Sequence, residues 1–142
     1  MKPIFEHDFY GVKPELLSYD FIAGLIVGEG TFYWTKYGKH KIPVFALRFH
    51  IRDFDLLVNV KYSLGITENI YEYTHNRRHS AFLIIRNFHG LIKIIESIYP
   101  KLTGHKKIQF INWFSMFKDN ELEPRYQTIY HIFREKFPEL YL

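Results

Sequence analysis

Residues 21–30 read FIAGLIVGEG. No charge falls between Phe21 and Gly28, and Phe21, Ile22, Ala23, Leu25, Ile26 and Val27 are apolar. Ser18 stands where an N-cap is wanted, Asp20 lies in the first turn, and Gly30 follows the last apolar position, so the stretch is bounded as a helix. Apolar residues cover its whole circumference, which predicts a helix buried on every side. Gly24 and Gly28 are one turn apart on a single face. Each weakens the helix by about 1 kcal/mol relative to Ala, a cost that close approach of another backbone offsets. Glu29 is the anomaly. A carboxylate at a helix C-terminus meets the negative end of the dipole, and burying it is costly. A divalent cation relieves both, because hard cations take carboxylate oxygens. The ordinary alternative is a solvated Glu ahead of a Gly cap.

The chain after this helix changes period. Over 31–37, Phe32 and Trp34 point one way and Thr31, Tyr33, Thr35 and Tyr37 the other. Gly38 marks a turn. Over 42–51, Phe45, Leu47, Phe49 and Ile51 share one face, and Val44, Ala46, Arg48 and His50 the other. Pro43 implies that this strand begins raggedly or at an edge. Residues 53–64 read as a helix with Leu56, Leu57 and Val60 inward and Gly65 as its stop. Residues 69–74 and 80–86 form a second hairpin around the tip HNRRH at 75–79. Asn87 caps a helix that Pro100 ends, and 105–117 and 124–136 carry two further helical patterns. The order is α+β, αββαββα. It predicts a four-stranded antiparallel sheet with helices on one face, plus C-terminal helices. One domain spans 18–142, after an irregular arm over 1–17 that Pro3, Gly11 and Pro14 punctuate.

A chain of 142 residues supports one sizeable core. The net charge of +4 is modest for this length and fits either a mildly cationic surface or a polyanionic partner. The absence of Cys excludes disulfides and thiolate metal sites. No apolar run reaches the roughly 18 residues of a membrane span, so the expectation is a soluble, intracellular protein. The histidines form no HExxH pair, and no Walker loop, GxSxG or GxGxxG occurs.

Charge gathers at the hairpin tips: Lys36, Lys39, His40 and Lys41 at one, His75, Arg77, Arg78 and His79 at the other. The face between them carries hydroxyl and aromatic side chains, an arrangement suited to phosphates at the rims and base edges along the strands. His105, Lys106 and Lys107 open an apolar helix at the end where the dipole disfavours cations. A phosphate nearby would hold a lysine there; a solvated lysine pair is the bland alternative.

Residues 22–30, IAGLIVGEG, resemble the LAGLIDADG motif of homing endonucleases. They match at Ala23, Gly24, Leu25, Ile26 and Gly30, with Glu29 for the final acid. They depart at Ile22, Val27 and Gly28. The ββαββα order that follows, over 18–117, makes the resemblance more specific than a nine-residue string. It implies that two such helices pack about a twofold axis through Phe21, Gly24, Leu25 and Gly28. A chain with one motif would then act as a homodimer on a near-palindromic double-stranded DNA site. The resemblance further implies that Glu29, with Gly28, holds Mg²⁺, with Mn²⁺ able to substitute. A second metal would stabilise the leaving 3′-oxygen, and both strands would be cut with short 3′ overhangs. Asp53 falls where the family has a polar residue that orients water. Lys106 falls at its basic residue, with Lys107 and His105 near enough to compete. The resemblance also implies that the sheets form a saddle on the major groove. Strand phase and tip charge select Thr31, Tyr33, Thr35, Tyr37, Lys39, Lys41, Ala46, Arg48, His50, Asn69, Tyr71, Tyr73, Arg77, Arg78 and Lys107 as DNA contacts. Two readings compete: an RNA maturase or non-cleaving binder on the same fold, and an α/β domain unconnected with nucleic acid.

Overall fold

The computed structural model describes residues 2–4, 13–119 and 121–141. Ser18 opens helix α1 (Tyr19–Glu29): its hydroxyl accepts the Phe21 N–H at 3.1 Å, and Asp20 in the first turn pairs with Lys101 at 2.8 Å. No loop follows. Gly30 donates its N–H to the Ile26 carbonyl and is at once the first residue of strand β2 (Gly30–Tyr37). Its φ of −76° is ordinary, so what the position demands is space. A Cβ here would stand 2.7 Å from Ile26 Cγ2 and 2.9 Å from the Ile26 carbonyl oxygen.

Gly38, at φ +63°, turns β2 into β3 (His40–His50). Helix α2 (Phe54–Leu64) leads to the hairpin of β4 (Ile70–His75) and β5 (Arg78–Ile85), followed by α3 (Phe88–Ile98) and α4 (Gly104–Ser115). The second tip is tighter than its composition suggested. Asn76 and Arg77 take φ +48° and +67°, the left-handed pair that a two-residue hairpin turn requires, so pairing extends to His75↔Arg78.

Among the described residues the sheet has five strands, β1 (Lys2–Ile4) included, rather than the expected four; their order is β1-β4-β5-β3-β2, with every pair antiparallel. The addition is β1 (Lys2–Ile4), which lies on the open edge of β4 with Ile4 opposite Ile70. Three residues that include a proline carry no alternation to read; the free edge of β4 makes them a strand. Pro43 is opposite Trp34 in β2, while β5 joins β3 only from Phe45 onward, so its missing N–H costs no bond to a third strand. Residues 124–136 are not one helix. They form a 3-10 turn at Pro124–Tyr126 and a short helix α5 (Ile129–Ile132). Tyr126, Ile129, Phe133 and Phe137 are all buried, and a chain of turns anchors residues at that spacing as well as a helix does.

The core lies between the sheet and the helices: Ile22 and Ile26 meet Phe45, Leu47, Leu83, Ile94, Phe110 and Phe114 in one buried cluster. α1 departs from expectation. Ile22, Ala23 and Ile26 are buried, but Phe21 is 49% exposed, and a Cβ added at Gly24 or Gly28 would meet nothing within 4 Å. Among the described residues, nothing covers this face of the motif helix.

Candidate active site

Cross-strand register fixes which side chains share the face opposite the helices. Thr31, Ala46 and Ile84 form one row, Tyr71, Phe82 and Arg48 the next, and Tyr73, Ser80 and His50 a third. Tyr33, Thr35 and Tyr37 continue the face along β2, and Asn69 precedes β4 in the same phase. The strand phase read from the alternation is thus the one adopted. Val44 and Ile84 belong to this face too and are buried, which gives it an apolar floor. Phe82 and Ser80 escaped the sequence reading because residues 81–85 are apolar throughout and show no period.

The two basic tips are not equivalent. β3 runs away from the Gly38 turn and ends at His50, opposite Ser80 near the start of β5. The Asn76-Arg77 turn therefore lies at the Glu29 end of the sheet, and the Gly38 turn at the far end. A cavity of about 440 Å³ brings Glu29 and Asp53 together with Arg48, His50, Arg77 and Arg78. A second, of about 370 Å³, places Gly28 and Glu29 beside Arg48 and Lys106. Arg48 stands between the two cavities, its guanidinium carbon 5.8 Å from the centroid of the Phe82 ring. Among the described residues, Arg48, Arg77 and Arg78 form no salt bridge with a carboxylate, so three guanidinium groups gather unpaired around two acids.

Each acid reaches this place through local structure. Glu29 is exposed on the last residue of α1, with no basic residue in that turn. Asp53 occupies the N-cap position of α2, yet its carboxylate makes no cap bond; its nearest cation is the Arg52 guanidinium, at 3.9 Å. His50 Nδ1 accepts the Arg52 N–H at 3.1 Å, which puts the proton of a neutral ring on Nε2.

Of the three residues at the start of α4, Lys106 is the one carried to Glu29. Its ammonium donates to the Gly30 carbonyl at 2.5 Å. Lys107 turns instead to the Tyr99 ring, 6.0 Å from its centroid, and His105 is exposed. Lys39 is exposed in the far turn. Lys41 calls for a correction as a candidate DNA contact. Its position in β3 alternates to the helix side, and its ammonium bonds Asp119 at 2.9 Å with Glu121 at 3.9 Å. The bond to Asp119 holds the Lys41 pKa above its ordinary value and the Asp119 pKa below its own.

Among the described residues no cluster of three or more His, Asp and Glu converges on a point. Glu29 is nevertheless a hard oxygen donor with no competing cation in its own turn, and a helix end leaves backbone carbonyls without partners. At this end of the helix the Glu29 carboxylate and the Gly28 carbonyl are oxygen donors of the kind that hard divalent cations take.

The sequence profile described as LAGLIDADG endonuclease matches residues 22–117. No curated protein matches the chain. Among solved structures the fold is similar to the homing endonuclease I-TnaI, with a TM-score of 0.62 at 22% identity over 72% of each chain. It is also similar to the LAGLIDADG meganuclease I-CpaMI bound to uncleaved DNA, with a TM-score of 0.61 at 18% identity. That match covers 88% of this chain and 49% of the other. The group I intron-encoded homing endonuclease I-CeuI, complexed with DNA, gives a TM-score of 0.61 at 18% identity, over 78% of this chain and 59% of that one. The chain thus spans about half the length of I-CpaMI and somewhat more of I-CeuI.

Proposed function

The chain belongs to the LAGLIDADG endonuclease family, and from that premise we propose that it is a homodimeric, site-specific DNA endonuclease. It cuts both strands of a long near-palindromic duplex by divalent-metal-assisted hydrolysis and leaves short 3′ overhangs. The observation that carries this reading is Glu29 at the tip of a half-covered helix, in a cavity with Asp53 and unpaired arginines. One chain holds one motif, and the open face of α1 with Phe21, Gly24, Leu25 and Gly28 is where a second copy packs. Twofold symmetry then brings two Glu29 carboxylates together.

Arg48, Arg77 and Arg78 bind backbone phosphates and fix the duplex over the acids. Thr31, Tyr33, Thr35, Tyr37, His50, Asn69, Tyr71 and Tyr73 face the major groove. Lys39 lies at its outer rim. A divalent cation, Mg²⁺ with Mn²⁺ as substitute, supplies Lewis-acid stabilisation of the scissile phosphate when bound. Glu29 and the Gly28 carbonyl would hold it. Asp53 accepts a hydrogen bond from the attacking water and orients it; as the water oxygen bonds to phosphorus the P–O3′ bond breaks, the water's proton passes to solvent and the leaving 3′-oxygen takes one from solvent. Lys106, fixed by the Gly30 carbonyl, keeps its ammonium charge beside the phosphate as negative charge grows there, an effect worth about 10²–10³ in rate when one such donor is removed.

Glu29→Gln keeps the shape of the site and removes its charge. Cleavage of a selected duplex in Mg²⁺ should be lost while binding in a gel-shift assay remains. Retained cleavage would refute the assignment. The exposed Tyr33, Tyr37 and Tyr73 are also suited to stacking unpaired bases, which favours an RNA partner as second reading. Competition between duplex DNA and structured RNA for the Glu29→Gln protein separates the two.

A further inference from the structure

β3 gains β5 as a neighbour only at Phe45. From His40 to Val44 its one strand partner among the described residues is β2, so the far end of the first hairpin is a two-stranded ribbon. Such a ribbon is marginally stable by itself, and its twist is easily changed. It also carries Thr35 and Tyr37 on the face opposite the helices, with Tyr37 77% exposed.

The segment just beyond the family match supplies the missing neighbour. The Lys41 N–H donates to the Glu121 carbonyl at 2.9 Å, and the Glu123 N–H donates to the Lys41 carbonyl at 3.0 Å. Lys41 thereby forms an isolated parallel pairing with buried Leu122. Two residues along the same strand, Pro43 has no N–H to leave open. Asp119 bonds the Lys41 ammonium and also accepts the Glu121 N–H at 2.8 Å. At the other end of the segment, buried Tyr126 donates its hydroxyl to the carbonyl of Arg86, the residue after β5, at 2.6 Å. One short stretch is therefore bonded to the outer end of the ribbon, one residue pair from its turn, and to the end of β5, where the ribbon leaves the sheet.

We propose that Asp119 and residues 121–126 form a brace that sets the pitch of the β2–β3 ribbon and so the reading of the outer base pairs of each half-site. Lys41 and Asp119 are its positioning residues. The recognition part rests on the DNA-binding function proposed above; the mechanical part does not. The mutual bond raises the Lys41 pKa and lowers that of Asp119, each toward its charged form.

The test uses the full chain with Asp119→Ala, Lys41→Met and the conservative Lys41→Arg. In the free protein, hydrogen exchange of amides 35–44 should quicken about tenfold in the first two variants and stay near wild type in the third, with α1 and α3 unchanged. Selection from a randomised duplex library, read by sequencing, should then show discrimination at outer positions reduced about fivefold or more, with inner positions retained. Unchanged exchange overturns the brace. Faster exchange with discrimination intact, or lost evenly at all positions, overturns the positioning role. Wild-type protein that selects no sequence would instead refute the DNA-binding reading, a result visible before any variant is made.

Discussion

Replacing Gly30 by Ala tests the junction on which the candidate site depends. The φ of −76° suits alanine, so the backbone itself offers no objection, and reduced freedom of the unfolded chain would stabilise the variant by about 0.4–1 kcal/mol. Against this, the new Cβ would lie 2.7 Å from Ile26 Cγ2, 2.9 Å from the Ile26 carbonyl oxygen and 3.1 Å from Ile26 Cα. Two of these are backbone atoms of the last helical turn and cannot swing aside. Relief requires the start of β2 to move off α1, and overpacking of this kind costs about 1–3 kcal/mol. The net expectation is a loss of about 0–2.6 kcal/mol, centred on ~1.3, a fall in Tm of a few degrees at that centre for a chain of this size. Gly28→Ala is the control of opposite sign. Its Cβ meets nothing within 4 Å, and alanine in a helix is favoured over glycine by about 1 kcal/mol. Both would be followed by circular dichroism on thermal and urea unfolding, at concentrations where Tm no longer depends on dilution. Gly30→Ala should also lose cleavage beyond its loss of stability, because Glu29 precedes the displaced residue and Lys106 is bonded to its carbonyl. If Gly30→Ala is as stable as wild type, the close approach to Ile26 is not what selects the glycine.

Lys106→Met should lower the cleavage rate about 10²–10³-fold in single-turnover assays with Lys107→Met nearly silent, since only Lys106 reaches Gly30; equal effects would refute the distinction. Gly24→Leu should leave thermal stability unimpaired at high dilution, because nothing among the described residues meets a Cβ there, yet abolish the dimer in sedimentation; a dimer that survives would place the interface elsewhere. Tyr99 has a pKa raised to about 12 by burial, with its hydrogen bond to Glu139 adding to it. Its neutral form is favoured by the fold, so its contribution is complete below pH 10 and is lost as pH rises from about 10 through about 12; Tyr99→Phe should flatten that part of the unfolding curve. The Lys41–Asp119 link runs the other way at its two ends. The lowered Asp119 pKa makes its share fade as pH falls below the usual carboxylate range, and the raised Lys41 pKa makes it fade as pH rises past the usual lysine range. Exchange of amides 35–44 relative to those of α3 should be slowest between these limits.

Residues 21–30 made the fold legible because their signals agree: cap, apolar run, spaced glycines and an acid that ordinary helix chemistry does not explain. The alternation over 31–37 and 42–51 likewise identified the exposed face, since a buried face forces a period of two on the side chains that border it. The family resemblance, rather than position alone, singles out Asp53 and, with His105 and Lys107 competing, Lys106 as expected site residues. Tertiary structure decided what depended on contacts distant along the chain. Whether His105, Lys106 or Lys107 meets the motif turns on how α4 packs, and its pitch carries adjacent residues about 100° apart. Lys41 looked like a contact because hairpin tips are usually solvated; a segment some eighty residues later binds it instead. β1 exists because β4 has a free edge, and the short turns after Pro124 follow the core rather than a helical propensity. Local sequence determined the elements and the faces they present, because propensity and period act over a few residues. Which charges converge on Glu29 and which are bound within the chain was left to packing, because an ion pair is fixed by where two elements end rather than by what either one encodes.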